Sequence, residues 1–238
     1  MKVDLISWTK DPIGTCAIAA SMCYASEPSR KIVNGCIKSG HLSILEHSSF
    51  TFRISGVSRS FLAQLTRHRI ASYSVRSQRY TDPTDNGASD VNWVLPTEYM
   101  TDSDTTTEVE LIMQAACDDA LKTYNTLVNG HNCSNDEARA VLPNATPTAM
   151  VVTMNIRSLI NFFNLRLCSR ASREIQEVAK KMKFAILAQC TDLTEEDVVI
   201  LAKLFVPKCE SFSIPFCPEH NGCGRHRSLK ELVEDKNG

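Results

Sequence analysis

The stretch HSSFTFRI, residues 47–54, sets Phe50, Phe52 and Ile54 on one side at a spacing of two. That period belongs to a β-strand with one face buried. Gly56 is expected to break it. Ser58 or Ser60 can then cap a helix running through Thr66, with Phe61 and Leu65 four apart on its inner face. A strand that hands over directly to a helix points to a mixed fold.

The rest of the chain repeats this alternation. Residues 2–8 read as a strand, 12–25 as a helix of small apolar residues, and 29–39 as a second helix stopping at Gly40. Residues 82–104 are loop-like, with Pro83, Asn86-Gly87 and Pro96 as turn signals. An amphipathic helix is expected over 107–128, stopped by Asn129-Gly130. A short helix over 135–141 ends before Pro143, and 148–156 is a β-branched, apolar strand. Residues 157–183 are helical in period, broken near Cys168-Ser169. The fold class is therefore α/β (α+β), a single domain rich in helix. From Cys209 the composition turns to cysteine, histidine, proline and glycine, so residues 209–238 read as a tail on a domain of residues 1–208.

Length and composition narrow the function. The 238 residues are 43% apolar and 22% charged, ordinary for a globular protein with a sizeable core. A formal net charge of −1 gives no global field toward nucleic acid or membrane, so any anion affinity must be local. The N-terminal stretch lacks the apolar core of a signal peptide, and runs such as Ala149 to Val152 are far too short to span a bilayer. Ten cysteines without a secretory signal imply reduced thiols and a cytoplasmic protein. Seven of them, scattered from Cys16 to Cys190, sit mostly among apolar neighbours and read as buried.

Charge is anything but uniform locally. Residues 47–81 hold six arginines (Arg53, Arg59, Arg67, Arg69, Arg76, Arg79), no lysine and no acid, in a chain with fourteen arginines and twelve lysines. Lysine suffices where only a solvated charge is needed. A planar fork is preferred where two oxygens are gripped at once or a ring is stacked upon. Tyr73 and Tyr80 lie among these arginines, and Ser72, Ser74 and Ser77 add hydroxyl donors. The set suits a phosphate with a flat heterocycle. A solvated face is the simpler reading, because cations near a helix C-terminus gain roughly 0.3–1 kcal/mol from the dipole. The lack of acidic partners in sequence favours a bound anion.

A second basic set comprises Arg139, Arg157, Arg166, Arg170 and Arg173. Asn161 and Arg166 stand on an otherwise strongly apolar helix, where a polar group needs a partner if buried. Asn155, Arg157 and Asn161 cannot all share a helical face with Arg166, so the segment has room for two ligands, or for a ligand and a subunit contact.

Taken together, these blocks resemble the flavin-dependent thymidylate synthases. The family's signature is Arg-His-Arg, seven residues, then Ser; here it is Arg67-His68-Arg69, residues 70–76, then Ser77, with Arg79-Tyr80 following. GHLSILEHSSFTF (40–52), EARAVLP (137–143), TMNIRSLINFFNLR (153–166) and Glu174-Ile175 are similar to further blocks of the family, in order, and the resemblance covers about residues 1–205. It implies a central, mostly antiparallel sheet flanked by long helices, and a homotetramer with sites shared between subunits. It also implies reductive methylation of dUMP to dTMP, with FAD as cofactor, NADPH as reductant and 5,10-methylenetetrahydrofolate as one-carbon donor.

By position, the FAD would lie at Ser43, Arg67, His68, Arg69, Val75, Asn155, Ile156, Arg157 and Asn161, with His41 close by. dUMP would meet Gln64, Leu65, Thr66, Arg67, Val75, Arg76, Ser77, Gln78, Arg79, Arg139 and Arg166, the last as the catalytic residue. Arg166 near the uracil N3–O2 edge would stabilise charge on the ring, so that no cysteine nucleophile is needed. Indeed the Pro-Cys-His context of the folate-only thymidylate synthases is missing. So is the Rossmann Gly-x-Gly-x-x-Gly, which leaves FAD to arginines and loops. Val75 replaces a Glu found in many members, and Ser172 a Gln. The first is expected to remove a contact to substrate or flavin, the second to alter local fit.

In the tail, Cys209, Cys217, His220, Cys223 and His226 have zinc-ligand chemistry but not the spacing of paired Cys-x-x-Cys knuckles. An extended tail of reduced thiols lying on a neighbouring subunit is the reading adopted, with structural zinc as the alternative; no metal is assigned. Two other functions compete with the enzyme. An RNA-binding module could use the arginines and tyrosines, but the near-zero net charge speaks against a nucleic-acid polymer as partner. A catalytically dead family member kept for assembly is the other.

Overall fold

The computed structural model describes residues 1–84, 90–96 and 104–234. Four strands, β1 (Lys2–Trp8), β2 (Ser49–Ser58), β3 (Ser72–Val75) and β4 (Pro147–Asn155), form one antiparallel sheet in the order β1-β2-β4-β3. The helices are α1 (Pro12–Tyr24), α2 (Arg30–Lys38), α3 (Arg59–Leu65), α4 (Asp104–Asn125), α5 (Asn135–Ala138), α6 (Ile156–Arg166), α7 (Arg173–Gln189), α8 (Glu195–Leu204) and α9 (Leu229–Glu234). The mixed, helix-rich class expected from the sequence holds. No helix among the described residues is long and apolar enough to cross a membrane.

Contacts divide the chain into two compact units. The first comprises Met1–Lys2, Arg53–Arg69 and Tyr73–Val151; the second comprises Val3–Phe52, Ile70–Ser72 and Val152–Gly238. In the first, Ile54, Val57, Phe61 and Leu65 are fully buried, and Trp93, Cys117, Leu121 and Tyr124 form a cluster with Val91 and Ala138. In the second, Phe50, Phe52, Phe162, Phe163 and Phe205 are fully buried, the last two with ring centroids 4.7 Å apart. Burying a side chain of this kind contributes roughly 1.5–3 kcal/mol.

Local chemistry explains most boundaries. Ser29, Ser58, Ser134, Asn155 and Thr194 each cap the helix that follows by accepting a hydrogen bond from a backbone amide of its first turn. Three expectations are corrected. Gly56 does not end β2, which continues to Ser58: the glycine takes a φ of +66°, and a Cβ there would lie 3.0 Å from the Met1 nitrogen. The long helix begins at Asp104, before residue 107, and its last turn, Thr126–Gly130, is a π turn that ends at the expected Asn129-Gly130. The tail is not bare: it carries α9 and a bridge between Cys217 and Ser228. The expected loop over 82–104 falls partly outside the described residues.

Candidate functional site

In the first unit, the signature Arg-His-Arg wraps the C-terminus of α3. Thr66 is its C-cap, and the amides of Arg67 and His68 bond back to the carbonyls of Gln64 (3.4 Å) and Leu65 (3.0 Å). Tyr73, on β3, directs its hydroxyl to two carbonyls there, Leu65 at 3.0 Å and His68 at 2.8 Å. Burial pushes the Tyr73 phenol up to about 12. The turn thereby buries His68 and Leu65 while leaving Thr66, Arg67 and Arg69 exposed. Gln64, Val75, Arg76, Ser77 and Gln78 are half-buried.

After β3, Arg76 is tied inward. Its guanidinium reaches the Thr81 hydroxyl (3.3 Å) and the carbonyls of Asp82 (3.0 Å) and Thr84 (3.4 Å). The Ser77 hydroxyl accepts from the Arg79 amide at 3.2 Å, which shapes the turn that presents Arg79. Arg79 then meets Arg139 from α5's end: Arg79 Nε lies 3.2 Å from one oxygen of Asp136, and Arg139 Nη2 lies 2.8 Å from the other. Arg59 joins them, with Nη1 3.5 Å from the Arg76 carbonyl. Burial, and then the charge of Arg139, lowers the Arg59 pKa. Two guanidinium groups thus share one carboxylate, and a third, that of Arg59, lies close enough to Arg139 to feel its charge. Such a cluster retains positive charge for a ligand anion.

The sequence reading brought Arg79 and Arg139 to one ligand but missed Asp136 as their shared counter-charge. A signal was there: Ser134 to Glu137 spells a capping box, which sets Asp136 and Arg139 three apart on one helical turn.

The second unit carries the other half of the expected residues. His41 and Ser43 are exposed around the 3₁₀ turn Leu42–His47, with His41 Nδ1 3.2 Å from the Tyr24 hydroxyl. Asn155 is the N-cap of α6, its side chain accepting from the Ser158 amide at 2.8 Å. Ile156 is fully buried, and its amide donates to Ser48 at 2.9 Å. Arg157 is exposed and paired with Glu46 at 2.5 Å, a partner the sequence reading did not name. Asn161 is exposed too; the buried polar residue on α6 is instead Asn164, whose side chain donates to the Val206 carbonyl at 3.0 Å. Arg166, in the last turn of α6, is half-buried.

Comparison with known proteins adds the class. The family profile described as thymidylate synthase complementing protein matches residues 4–190. A flavin-dependent thymidylate synthase of Geobacter sulfurreducens is 42% identical over 194 residues, covering 76% of this chain and 80% of that one. One from Pyrococcus furiosus is 35% identical over 254 aligned positions, covering 99% of each. Among solved structures, the flavin-dependent thymidylate synthase ThyX from Helicobacter pylori, complexed with FAD and dUMP, aligns with a TM-score of 0.63 at 28% identity, covering 84% of this chain and 98% of that one. The chain belongs to the flavin-dependent thymidylate synthase family.

Proposed function

We propose that this chain methylates dUMP to dTMP with FAD as cofactor, 5,10-methylenetetrahydrofolate as carbon donor and NADPH as reductant. It would act as a cytoplasmic homotetramer whose sites draw on more than one subunit. Residues 1–208 form the catalytic domain in this reading, and 209–238 are an appendage. The observation that carries it is the sharing of Asp136 by Arg79 and Arg139, with Arg59 close enough to Arg139 to feel its charge, a cluster with more fixed cation than anion.

Arg79, Arg139 and Ser77 bind the nucleotide phosphate, with Asp136 yielding to it. Arg76, Gln78, Gln64, Leu65 and Thr66 flank the sugar and base. Arg166 stabilises negative charge at the pyrimidine edge and so makes C5 nucleophilic, an effect worth a few kcal/mol in related oxyanion sites. Ser43, Arg67, His68, Arg69, Asn155, Ile156, Arg157 and Asn161 hold the flavin, with Val75 between the two ligands. The flavin, when bound, supplies the redox chemistry; the protein binds, aligns and polarises. FAD fits the donor set, since exposed arginines and small polar side chains suit a pyrophosphate better than any apolar slot would.

The state of the buried thiols supports a route without a cysteine nucleophile among them. Burial pushes Cys16, Cys117 and Cys190 up, away from the reactive thiolate, and Cys36 is buried as well. The test is optical. Purified protein should show the absorption of oxidised flavin, and dUMP should perturb it. R166A should retain the flavin while losing at least about a hundredfold in turnover. A protein that cannot be loaded with FAD, or an R166A variant with undiminished turnover, overturns the reading.

A further inference from the structure

Residues 208–234 contain no buried residue, yet they fold back on themselves. The Phe216 amide bonds to the Cys209 carbonyl at 3.1 Å, and the Cys217 amide to the Arg227 carbonyl at 2.8 Å. These two closures bring the start and the end of the strap together. Segments too small for a core are ordinarily held by a disulfide or a metal, and all ten cysteines here are free thiols.

At the meeting point stand the Cys209 sulfur, a Glu210 carboxylate oxygen and a His226 ring nitrogen, all within 4.8 Å of one another. His226 Nε2 is shielded from solvent and has no hydrogen-bond partner among the described residues, an expensive state for a ring nitrogen. Glu210 Oε1 lies 3.8 Å from it, too far for a hydrogen bond. A tetrahedral ion with bonds of about 2.0–2.3 Å holds its ligand atoms roughly 3.3–3.8 Å apart. The histidine–glutamate gap of 3.8 Å comes within about 0.5 Å of the spacing that nitrogen and oxygen ligands take, and the sulfur lies within 4.8 Å of both. Arg225 also contacts Glu210 Oε1, at 3.2 Å, so the ion would share this carboxylate or take its other oxygen.

We propose that Cys209, Glu210 and His226 bind one zinc ion, with water at the fourth position. A thiolate, an imidazole and a carboxylate suit zinc over calcium or magnesium, which prefer all-oxygen shells. The ion pins the strap beside the turn between α6 and α7, where the Arg170 guanidinium donates to the Asn221 carbonyl. The ligand set differs from the sequence pattern of five cysteines and histidines: it takes two of those residues and adds an acid.

The test is metal stoichiometry on the full-length protein, independent of flavin loading and turnover. After stripping and reloading with Zn²⁺, elemental analysis should give one zinc per chain. Co²⁺ in its place should add the visible bands of a tetrahedral site and a near-ultraviolet thiolate band. H226A and C209S should each lose at least about tenfold in zinc affinity, whereas C23S should keep it. Chelation should speed tryptic cleavage at Arg225 and Arg227 roughly tenfold while leaving the flavin spectrum unchanged. Soluble parent protein that stays metal-free after reloading, or zinc retained in full by soluble H226A and C209S, overturns the proposal. Should either variant fail to fold, absence of the cobalt thiolate band in the parent overturns it alone.

Discussion

Asp136 sets the charge balance of the arginine cluster. It pairs with Arg79 and Arg139 through side chains that are all at least 40% exposed, and pairs of that kind are worth only about 0.2–1 kcal/mol each. A phosphate arriving at the proposed site would compete with both pairs. D136N should therefore tighten dUMP binding about fivefold with kcat unaltered, measured by titrating the flavin absorbance and by steady-state kinetics. Weaker binding would mean that the acid aims the two forks rather than competing for them. At this scale the sequence reading saw the cations but not their companions. Glu46, a hundred and eleven residues from Arg157, leaves no periodic trace in the chain. Asn164 shows how one helical turn misleads: Asn161 and Asn164 look alike on an apolar helix, and only the fold decides which is buried.

The element on which the proposed site depends is α3 with its C-terminal turn. Tyr73 adds its hydroxyl to two carbonyls at the helix end, that of Leu65, which the His68 amide also reaches, and that of His68. Y73F should cost about 1 kcal/mol and lower Tm by about 2–4 °C, with weakened flavin binding because Arg67 and Arg69 lose their footing. The phenol's pKa is raised in the folded protein, so its stabilising contribution is complete below pH 10 and is lost as pH climbs through about 12. An alkaline absorbance titration of folded protein should lose that late step in Y73F. Elements were the level at which the sequence spoke most clearly. Serine caps placed α3 almost to the residue, and period-two phenylalanines placed the start of β2, though not its end. What escaped was whatever depends on a distant neighbour: β2 runs through Gly56 beside Met1, and β3, four residues long, is too short for a period to show.

Across the second unit, stability gathers at Arg30. Its guanidinium joins Asp11, the α1 cap, at 2.8 Å, and Asp197, in the first turn of α8, at 3.1 Å. The Asp197 side chain is wholly inaccessible. Burial alone would push its carboxyl up, but Arg30 and the Thr194 amide and hydroxyl outweigh that and hold it below the usual carboxylate range. A depressed carboxylate contributes stability above its unfolded pKa and loses it as pH falls through the folded value. R30M should cost about 3 kcal/mol at neutral pH and move acid unfolding to higher pH, followed by circular dichroism in urea across a pH series. Arg30 and Asp197 stand 167 residues apart, which is why pairs like this were illegible before folding. The distribution of thiols has a practical side as well. Cys16, Cys36, Cys117 and Cys190 are sealed inside, whereas Cys23 and Cys223 face water, and the Ser169 hydroxyl together with nearby backbone draws the Cys223 sulfur toward its anionic form. A maleimide dye offered to intact enzyme should mark Cys223 early, giving a fluorescent handle on the appendage that needs no engineered cysteine.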